Sequence, residues 1–393
     1  MGDICMNRHI RMMMQLLGSE VCQSAIDETL FSEISEDDLK ILYQLSSSHD
    51  LAHIVGSALS KKKWLPTGTE IAEKFQKQVL LSIFRYEKIK FVYSSLYKTL
   101  AEEQISFVPL KGSVIREYYP DPRMRTSCDI DILVKYEDLE RTSNILLEKL
   151  HYRAYGKTAH DVSFWASNGI LVELHYDLVE DSRANQASAV LRNVWDYTTP
   201  KKDSKHHFEM TDEMFYFYHI AHMAKHFETG GCGVKPFLDL WILEHRIEHS
   251  DKSRNQLLEK GNLLTFSNVC QHLSEVWFGD AETDTLSQQM QVFILTGGVY
   301  GNQENWVSVQ RGKNGGKIKS LIARVFLPYS VMKYHFPVLQ KHRYLLPFAY
   351  IVRMIKPIFD GRLKRYLREW ELNRNMSKEE SNQTQTFLKN IGL

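Results

Sequence analysis

Apolar residues recur with two different periods along this chain, and the changes of period mark its organisation. Residues 1–104 read as helix throughout. Ser35 followed by Glu36, Asp37 and Asp38 predicts a helix start, because a serine can cap free N–H groups and acids in the first turn suit the helix dipole. From Thr67, the positions Ile71, Phe75, Val79, Leu80, Ile83, Ile89, Val92, Leu96 and Leu100 repeat close to every 3.6 residues and predict a long packing helix. The texture then shortens. Phe107-Val108-Pro109-Leu110 is a brief apolar run ending at Lys111-Gly112-Ser113, and Val114 to Tyr119 suits a helical turn. Asp129 to Val134 alternates before becoming fully apolar, Glu137 to Leu150 is an amphipathic helix, and Ile170 to Tyr176 alternates again. Helix returns from Asp212, over Met214–Phe227, Lys235–His249, Asn255–Trp277 and Thr285–Leu295, while Gly297-Gly298 and Gly315-Gly316 flank a predicted loop or linker. The pattern predicts an α+β protein. A small sheet core at 105–210 is flanked by N-terminal helices (1–104) and a larger C-terminal helical region (211–393).

Composition narrows the function classes. Hydrophobic residues at 43% and charged residues at 25% are globular values, and 49 basic against 48 acidic side chains exclude a uniformly basic nucleic-acid coat. The charge is unevenly placed, however. Residues 311–370 hold 14 Lys or Arg and two acids, Asp360 and Glu369, which leaves the remainder at about −11. Aromatics interleave this basic stretch. It suits single-stranded nucleic acid or tRNA, an anionic membrane surface, or a helical cap complementing the acidic remainder. The five cysteines, at 5, 22, 128, 232 and 270, form no C-x-x-C, which argues against a disulfide framework or Cys-rich zinc module and fits a reducing cytosol. Asp3, Arg8 and Arg11 interrupt any export signal, and Met1-Gly2 lacks the Ser or Thr at position 6 that myristoylation wants. Tyr344 to Phe359 is broken by Pro347, Arg353, Lys356 and Pro357 and would span a membrane poorly. A soluble, cytoplasmic protein is expected.

The candidate chemistry sits in the sheet core. Asp129 and Asp131, two apart on a strand, project from one face, where like charges call for a cation between them. Hard divalent ions such as Mg²⁺ take carboxylate oxygens. Ser113 lies sixteen residues before Asp129, after Gly112, which lets backbone approach an anion; Glu173 interrupts an apolar strand forty-two residues after Asp131. Together they suggest a phosphate cradle facing a two-metal clamp, the equipment for in-line attack on phosphorus. No Gly-x-Ser-x-Gly or phosphate-loop Gly-Lys-Ser/Thr is present. His219, His222 and His226 fall within about 60° of a helix at about 100° per residue. They suit a zinc site with Cys232 or Asp239, a cleft lining in which His222, Lys225 and His226 contact base or phosphates, or packed helix histidines.

Leu110-Lys111-Gly112-Ser113, Arg125 through Val134, and Val172-Glu173-Leu174-His175 resemble the polymerase-β-like nucleotidyltransferase superfamily, whose signature is h-G-[GS], D-h-[DE]-h and a later acid. More closely, the chain is similar to the bacterial uncharacterised nucleotidyltransferase family over roughly 80–355, including His222-Met223-Ala224-Lys225-His226, Phe237-Leu238-Asp239-Leu240 and the stretch from Arg324 to Phe348. The resemblance implies that Gly112 and Ser113 hold the triphosphate of an NTP, ATP foremost, and that Asp129, Asp131 and Glu173 hold two Mg²⁺ ions, with Mn²⁺ as a substitute. A hydroxyl acceptor (small molecule, sugar or protein) would take the nucleoside monophosphate as pyrophosphate leaves. Lys111 has an open role, and Arg125 is a candidate fork donor to phosphate, with Arg123 a weaker one. Two alternatives stand: a non-catalytic nucleotide- or partner-binding module on this scaffold, and an RNA-binding or RNA-modifying protein using 311–370.

Overall fold

The helix start read at Ser35 closes as a capping box, in which Asp38 N–H donates to Ser35 Oγ at 3.1 Å and Ser35 N–H donates to the Asp38 carboxylate at 2.9 Å. Such a cap contributes about 1 kcal/mol. In the computed structural model, which describes residues 8–179, 186–299, 301–359, 361 and 363–393, this helix is the second of four N-terminal helices. They are α1 (Arg8–Val21), α2 (Glu36–Ser48), α3 (Ala52–Lys61) and α4 (Glu70–Glu102). Met1, Gly2, Asp3, Cys5, Asp360 and Arg362, on which parts of the sequence reading fall, lie outside the described residues.

The long helix is α4, capped by Thr69 rather than Thr67. Its apolar stripe does not serve one wall. Ile71 and Phe75 enter a first core and Ile89, Val92, Leu96 and Leu100 a second, while Leu80 between them is 67% exposed. At 33 residues the helix is about 50 Å long, more than either core can cover.

The sheet is mixed and five-stranded, in the order β1 (Phe107–Pro109), β2 (Asp129–Val134), β5 (Leu171–His175), β4 (Asp161–Trp165), β3 (Arg153–Lys157). β2 and β5 are parallel and the other pairs antiparallel. The β3–β4 hairpin was not read from sequence, because every β3 residue is exposed and leaves no burial-driven alternation there. Alternation on the inner strands assigns the two faces. Ile130, Ile132, Val134, Val172 and Leu174 pack in the second core with α4 and α6 (Leu139–Glu148), each contributing about 1.5–3 kcal/mol of burial. Asp129, Asp131, Glu173 and His175 therefore project from the opposite face. Between β1 and β2 comes the four-residue helix α5 (Gly112–Ile115), followed by a 3₁₀ turn over 116–118.

After α7 (Gln186–Leu191) and a hairpin of β6 (Thr198–Pro200) and β7 (Phe208–Met210), the chain is helical. α8 (Asp212–Phe227), α9 (Lys235–His245), α10 (Asp251–Lys260), α11 (Leu264–Phe278) and α12 (Thr285–Leu295) share the first core with α1–α3. The single helix expected over Asn255–Trp277 is two, parted at Gly261 and Asn262, the latter in the left-handed region at φ 56°. The stretch expected as loop carries α13 (Gln303–Lys313), capped by Asn302 and held by the buried Val307 and Val309. Then come α14 (Lys317–Val325), α15 (Tyr329–His335), α16 (Val338–Lys341), α17 (Leu346–Phe359), α18 (Leu363–Asn375) and α19 (Lys378–Asn390). No described helix is long and apolar enough to cross a membrane.

Two buried histidines make the first core sensitive to acid. Burial holds His49 and His53 at about 4; His53 donates from Nε2 to the Met124 carbonyl at 2.9 Å, while neither ring nitrogen of His49 has a partner. A histidine depressed from about 6.5 leaves stability intact above that value and costs up to about 1.4 kcal/mol per pH unit as the pH falls toward the folded value. The urea midpoint is expected to drop from about pH 6.5 to about pH 4, and His49→Leu to flatten that drop. An unchanged slope in the variant would remove His49 from the account.

Candidate active site

Register brings the acids together. On the parallel β2–β5 pair Asp131 stands directly opposite Glu173, Asp129 lies one pleat back on β2, and His175 one pleat forward on β5. Asp131 is buried and its Oδ1 accepts from Lys111 Nζ at 3.0 Å and from His175 Nε2 at 2.9 Å; the same imidazole nitrogen is 3.6 Å from Glu173. Asp131, Glu173 and His175 place one ligand atom each within 4.8 Å of one another.

The electrostatics follow from this crowding. Burial and the Asp131 carboxylate push Asp129 up to about 6, with Glu173 adding and Lys111 opposing. Burial alone would raise Asp131, but Lys111 and His175 hold it well below the usual carboxylate range. For Lys111 burial disfavours the charge and Asp131 more than restores it, so the ammonium is held above its ordinary range. His175 is likewise raised: burial opposes protonation, and its hydrogen bonds to Asp131 and Glu173 overcome that. The site gathers three carboxyl groups around the Lys111 ammonium, with the His175 ring hydrogen-bonded to Asp131.

The Lys111-Gly112-Ser113 turn faces these acids. Leu110 N–H donates to the Asp131 carbonyl at 3.1 Å, and Lys111 at φ 47°, a conformation that costs a non-glycine residue about 1–3 kcal/mol, is poised between β1 and α5. Beneath the turn, Arg116 donates from Nε to the Gly112 carbonyl and from a terminal nitrogen to Ser127 Oγ, both at 2.6 Å, and Ser127 Oγ donates to the Asp129 carbonyl at 3.1 Å. This chain staples the turn to the head of β2. A Cβ on Gly112 would lie 3.4 Å from Ser127 Cβ and 3.6 Å from the Arg116 guanidinium, in ordinary van der Waals contact with both.

Arg125 lies beside the Gly112 turn, but its fork has a carboxylate partner. Its Nε and a terminal nitrogen donate to the two Asp239 oxygens at 2.6 and 2.7 Å, and Tyr119 donates its hydroxyl to the same carboxylate at 2.8 Å. The fork is spent on a buried carboxylate of α9 rather than held out for phosphate. Beside it Lys235 donates to Asp50 and Thr126, and Arg123 is an exposed partner of Asp121.

Helix α8 supplies the opposite wall. Tyr218, His222 and Lys225, spaced i, i+4 and i+7, share the face that feels Lys111. Burial raises the Tyr218 hydroxyl against the effect of Lys111, whereas crowding and then Lys111 pull the Lys225 ammonium down to about 8. Burial, then Lys225 and Lys111, holds His226 near 4, and its ring meets His222 edge to face at 4.5 Å. His219 instead donates to the Pro236 carbonyl at 2.9 Å. The zinc alternative is corrected accordingly. Among the described residues the groups close enough to share an ion are Asp131, Glu173, His175 and Glu244, His249, Asp251, and the α8 histidines are in neither.

Sequence reading assigned no role to His175, Tyr218 or Arg116. Period two from Glu173 along β5 marks His175, and period four before His222 along α8 marks Tyr218. Arg116 carried no local signal, since its partners Gly112 and Ser127 meet only when the turn folds onto β2.

Comparison with known proteins places the chain in a family. The model of a family described as Uncharacterised nucleotidyltransferase matches residues 35–279, more than half of the chain. The match begins earlier than the resemblance read from sequence and ends before the Arg324–Phe348 stretch. No curated protein and no solved structure matches.

Proposed function

From the premise that the chain belongs to the uncharacterised nucleotidyltransferase family and is a nucleotidyltransferase, we propose that it moves a nucleoside monophosphate from an NTP, ATP foremost, to an acceptor hydroxyl with release of pyrophosphate. The observation that carries this is the register of Asp131 opposite Glu173, with Asp129 on the same face and the Lys111-Gly112-Ser113 turn bonded to β2. Residues 105–210 are the catalytic core in this reading, and 1–104 and 211–393 build the cleft walls of a cytoplasmic enzyme.

The donor set fits hard divalent cations. Three carboxylates on one sheet face, with Asp129 held up at about 6 by its neighbours, make a site short of positive charge. Asp129, Asp131 and Glu173 would hold two Mg²⁺ ions, and the neighbouring His175 imidazole makes Mn²⁺ an acceptable substitute. Bound there, the ions would supply Lewis-acid activation of the α-phosphate and of the acceptor hydroxyl.

The remaining work falls to the chain. Gly112 and Ser113 cradle the triphosphate, and Lys111, 3.0 Å from Asp131, is placed to pair with the phosphates once cations neutralise the carboxylates. The acceptor oxygen attacks the α-phosphorus, the bond to the β-phosphate oxygen breaks, and the hydroxyl proton leaves through the carboxylate cluster. His222, Lys225 and His226 line the nucleotide side of the cleft. Arg125 supports the floor through Asp239 rather than touching nucleotide.

Incubation with labelled NTPs and Mg²⁺ or Mn²⁺ in the presence of lysate acceptors is expected to transfer label and release pyrophosphate. Calorimetric Mn²⁺ binding should weaken about tenfold or more in Glu173→Gln. Nucleotide and metal binding with no product from any acceptor would instead favour the non-catalytic module, and undiminished Mn²⁺ affinity in Glu173→Gln would remove Glu173 from the metal site.

A further inference from the structure

The C-terminal helices wear their apolar side outward. Of 23 large apolar residues exposed among the described residues, 15 lie within 318–370. On α17 the exposed Phe348, Ile351, Val352, Ile355, Ile358 and Phe359 fall within an arc of about 120° at about 100° per residue, while Arg353 turns inward to donate to the Arg324 and Val325 carbonyls. This inverts the pattern of a core-packed helix. α14 repeats it with Ile318 and Ile322, and α18 with Leu363, Leu367 and Trp370 at i, i+4 and i+7. The three helices adjoin: Arg324 of α14 pairs with Glu369 of α18 at 3.0 Å and receives Arg353 of α17 on its carbonyl. Between them lies a cavity of about 320 Å³ whose lining includes Arg324, Arg353, Lys356, Arg365 and Tyr366.

The charge on this face identifies its occupant. Residues 311–370 carry 14 basic and two acidic side chains, and Glu369, the acid among their described residues, is buried against Arg324 and Arg365. A cap that neutralised the acidic remainder would pair with it, but among the described residues Lys313–Glu228 is the one ion pair that joins the segment to the rest of the chain. A single-stranded nucleic acid would want mainly aromatic platforms, whereas the outward arcs set eight aliphatic residues against three aromatic ones, Phe348, Phe359 and Trp370, and so offer mostly hydrocarbon. Aliphatic stripes set among Lys and Arg, with Trp370 at one edge, match the boundary between anionic headgroups and acyl chains.

We propose that α14, α17 and α18 form a docking surface for an anionic lipid bilayer, with the aliphatic arcs entering the headgroup boundary and the basic cavity receiving a lipid phosphate. The acidic remainder turns away from the membrane by repulsion, so docking fixes the orientation of the chain. The surface lies beyond the residues matched by the family model and is independent of the chemistry proposed for the sheet face.

The test is co-sedimentation of the full chain with phosphatidylcholine vesicles, with and without about a third phosphatidylglycerol. Binding to the anionic vesicles is expected, weakened by salt, and reduced about tenfold or more by Ile351→Asp with Ile355→Asp, exposed positions whose folding is checked by circular dichroism. Lys319→Glu with Lys364→Glu should abolish the preference for anionic over neutral vesicles. Failure to bind vesicles of either composition would overturn the proposal. So would a dimer that the Ile351/Ile355 variant converts to monomer without any vesicle binding, or capture of single-stranded RNA in place of vesicles.

Discussion

Asp131→Asn is expected to lose nucleotidyl transfer by about 10³-fold or more and, in the presence of chelator, to unfold more easily than the parent chain. The first effect follows from removing the one carboxylate that faces Glu173, Lys111 and His175 together. The second follows from the same contacts. In the structure Asp131 is 4% exposed and is the anion for the Lys111 ammonium. Stranding a buried charge costs about 3–5 kcal/mol, and the partial exposure of Lys111 puts the loss at or below the lower end. Asp131→Asn with Lys111→Met removes both charges and should regain most of the stability with none of the activity. Denaturant midpoints and pyrophosphate release on the single and double variants separate the two effects. Retained turnover in Asp131→Asn would end the metal assignment; an unaltered midpoint would show that Lys111 finds another counter-charge.

What could be read in advance was whatever one strand or one turn encodes by itself. Asp129 and Asp131 share a face because a strand alternates, and the capping box at Ser35 needs only four consecutive residues. The acid at 173 drew notice as a charge in an apolar run, but its place opposite Asp131 depends on a parallel pairing across the α6 and hairpin crossover. Pairings between distant segments escaped notice. The Asp239 that takes Arg125 lies 114 residues away, and nothing around Arg125 distinguishes a guanidinium bound for phosphate from one bound for a carboxylate. Periodicity also misled where a helix serves two cores, as at Leu80 of α4, and where Gly261-Asn262 parts an apolar run into two helices. The site is thus local in its acids and tertiary in everything that orients them.

Arg125→Ala should be among the most destabilising single substitutions in the chain, by about 3–5 kcal/mol, and should act on folding before it acts on nucleotide. Asp239 is 1% exposed, and without the fork it keeps the Tyr119 hydroxyl, a neutral donor, as its principal partner. In the parent chain burial would raise the Asp239 carboxyl, yet Arg125 lowers it further, so the pair contributes stability above the unfolded carboxyl value near 4 that fades as the pH falls. Removing Arg125 reverses the sign. The stranded carboxyl then rises above its unfolded value, and the penalty grows with pH until the group must ionise in the fold. The stability gap between variant and parent should therefore be wider near about pH 7 than near about pH 5. Arg125→Ala with Asp239→Leu, which removes the charge as well, should recover much of the loss, because hydrophobic replacement of a buried pair is often neutral. Urea titrations at the two pH values, alongside the KM for NTP, decide the matter. A parent-like midpoint with a raised KM would return Arg125 to the phosphates; a lowered midpoint in the single variant, recovered in the double, with KM little changed, fixes it as the clamp between the turn before β2 and α9.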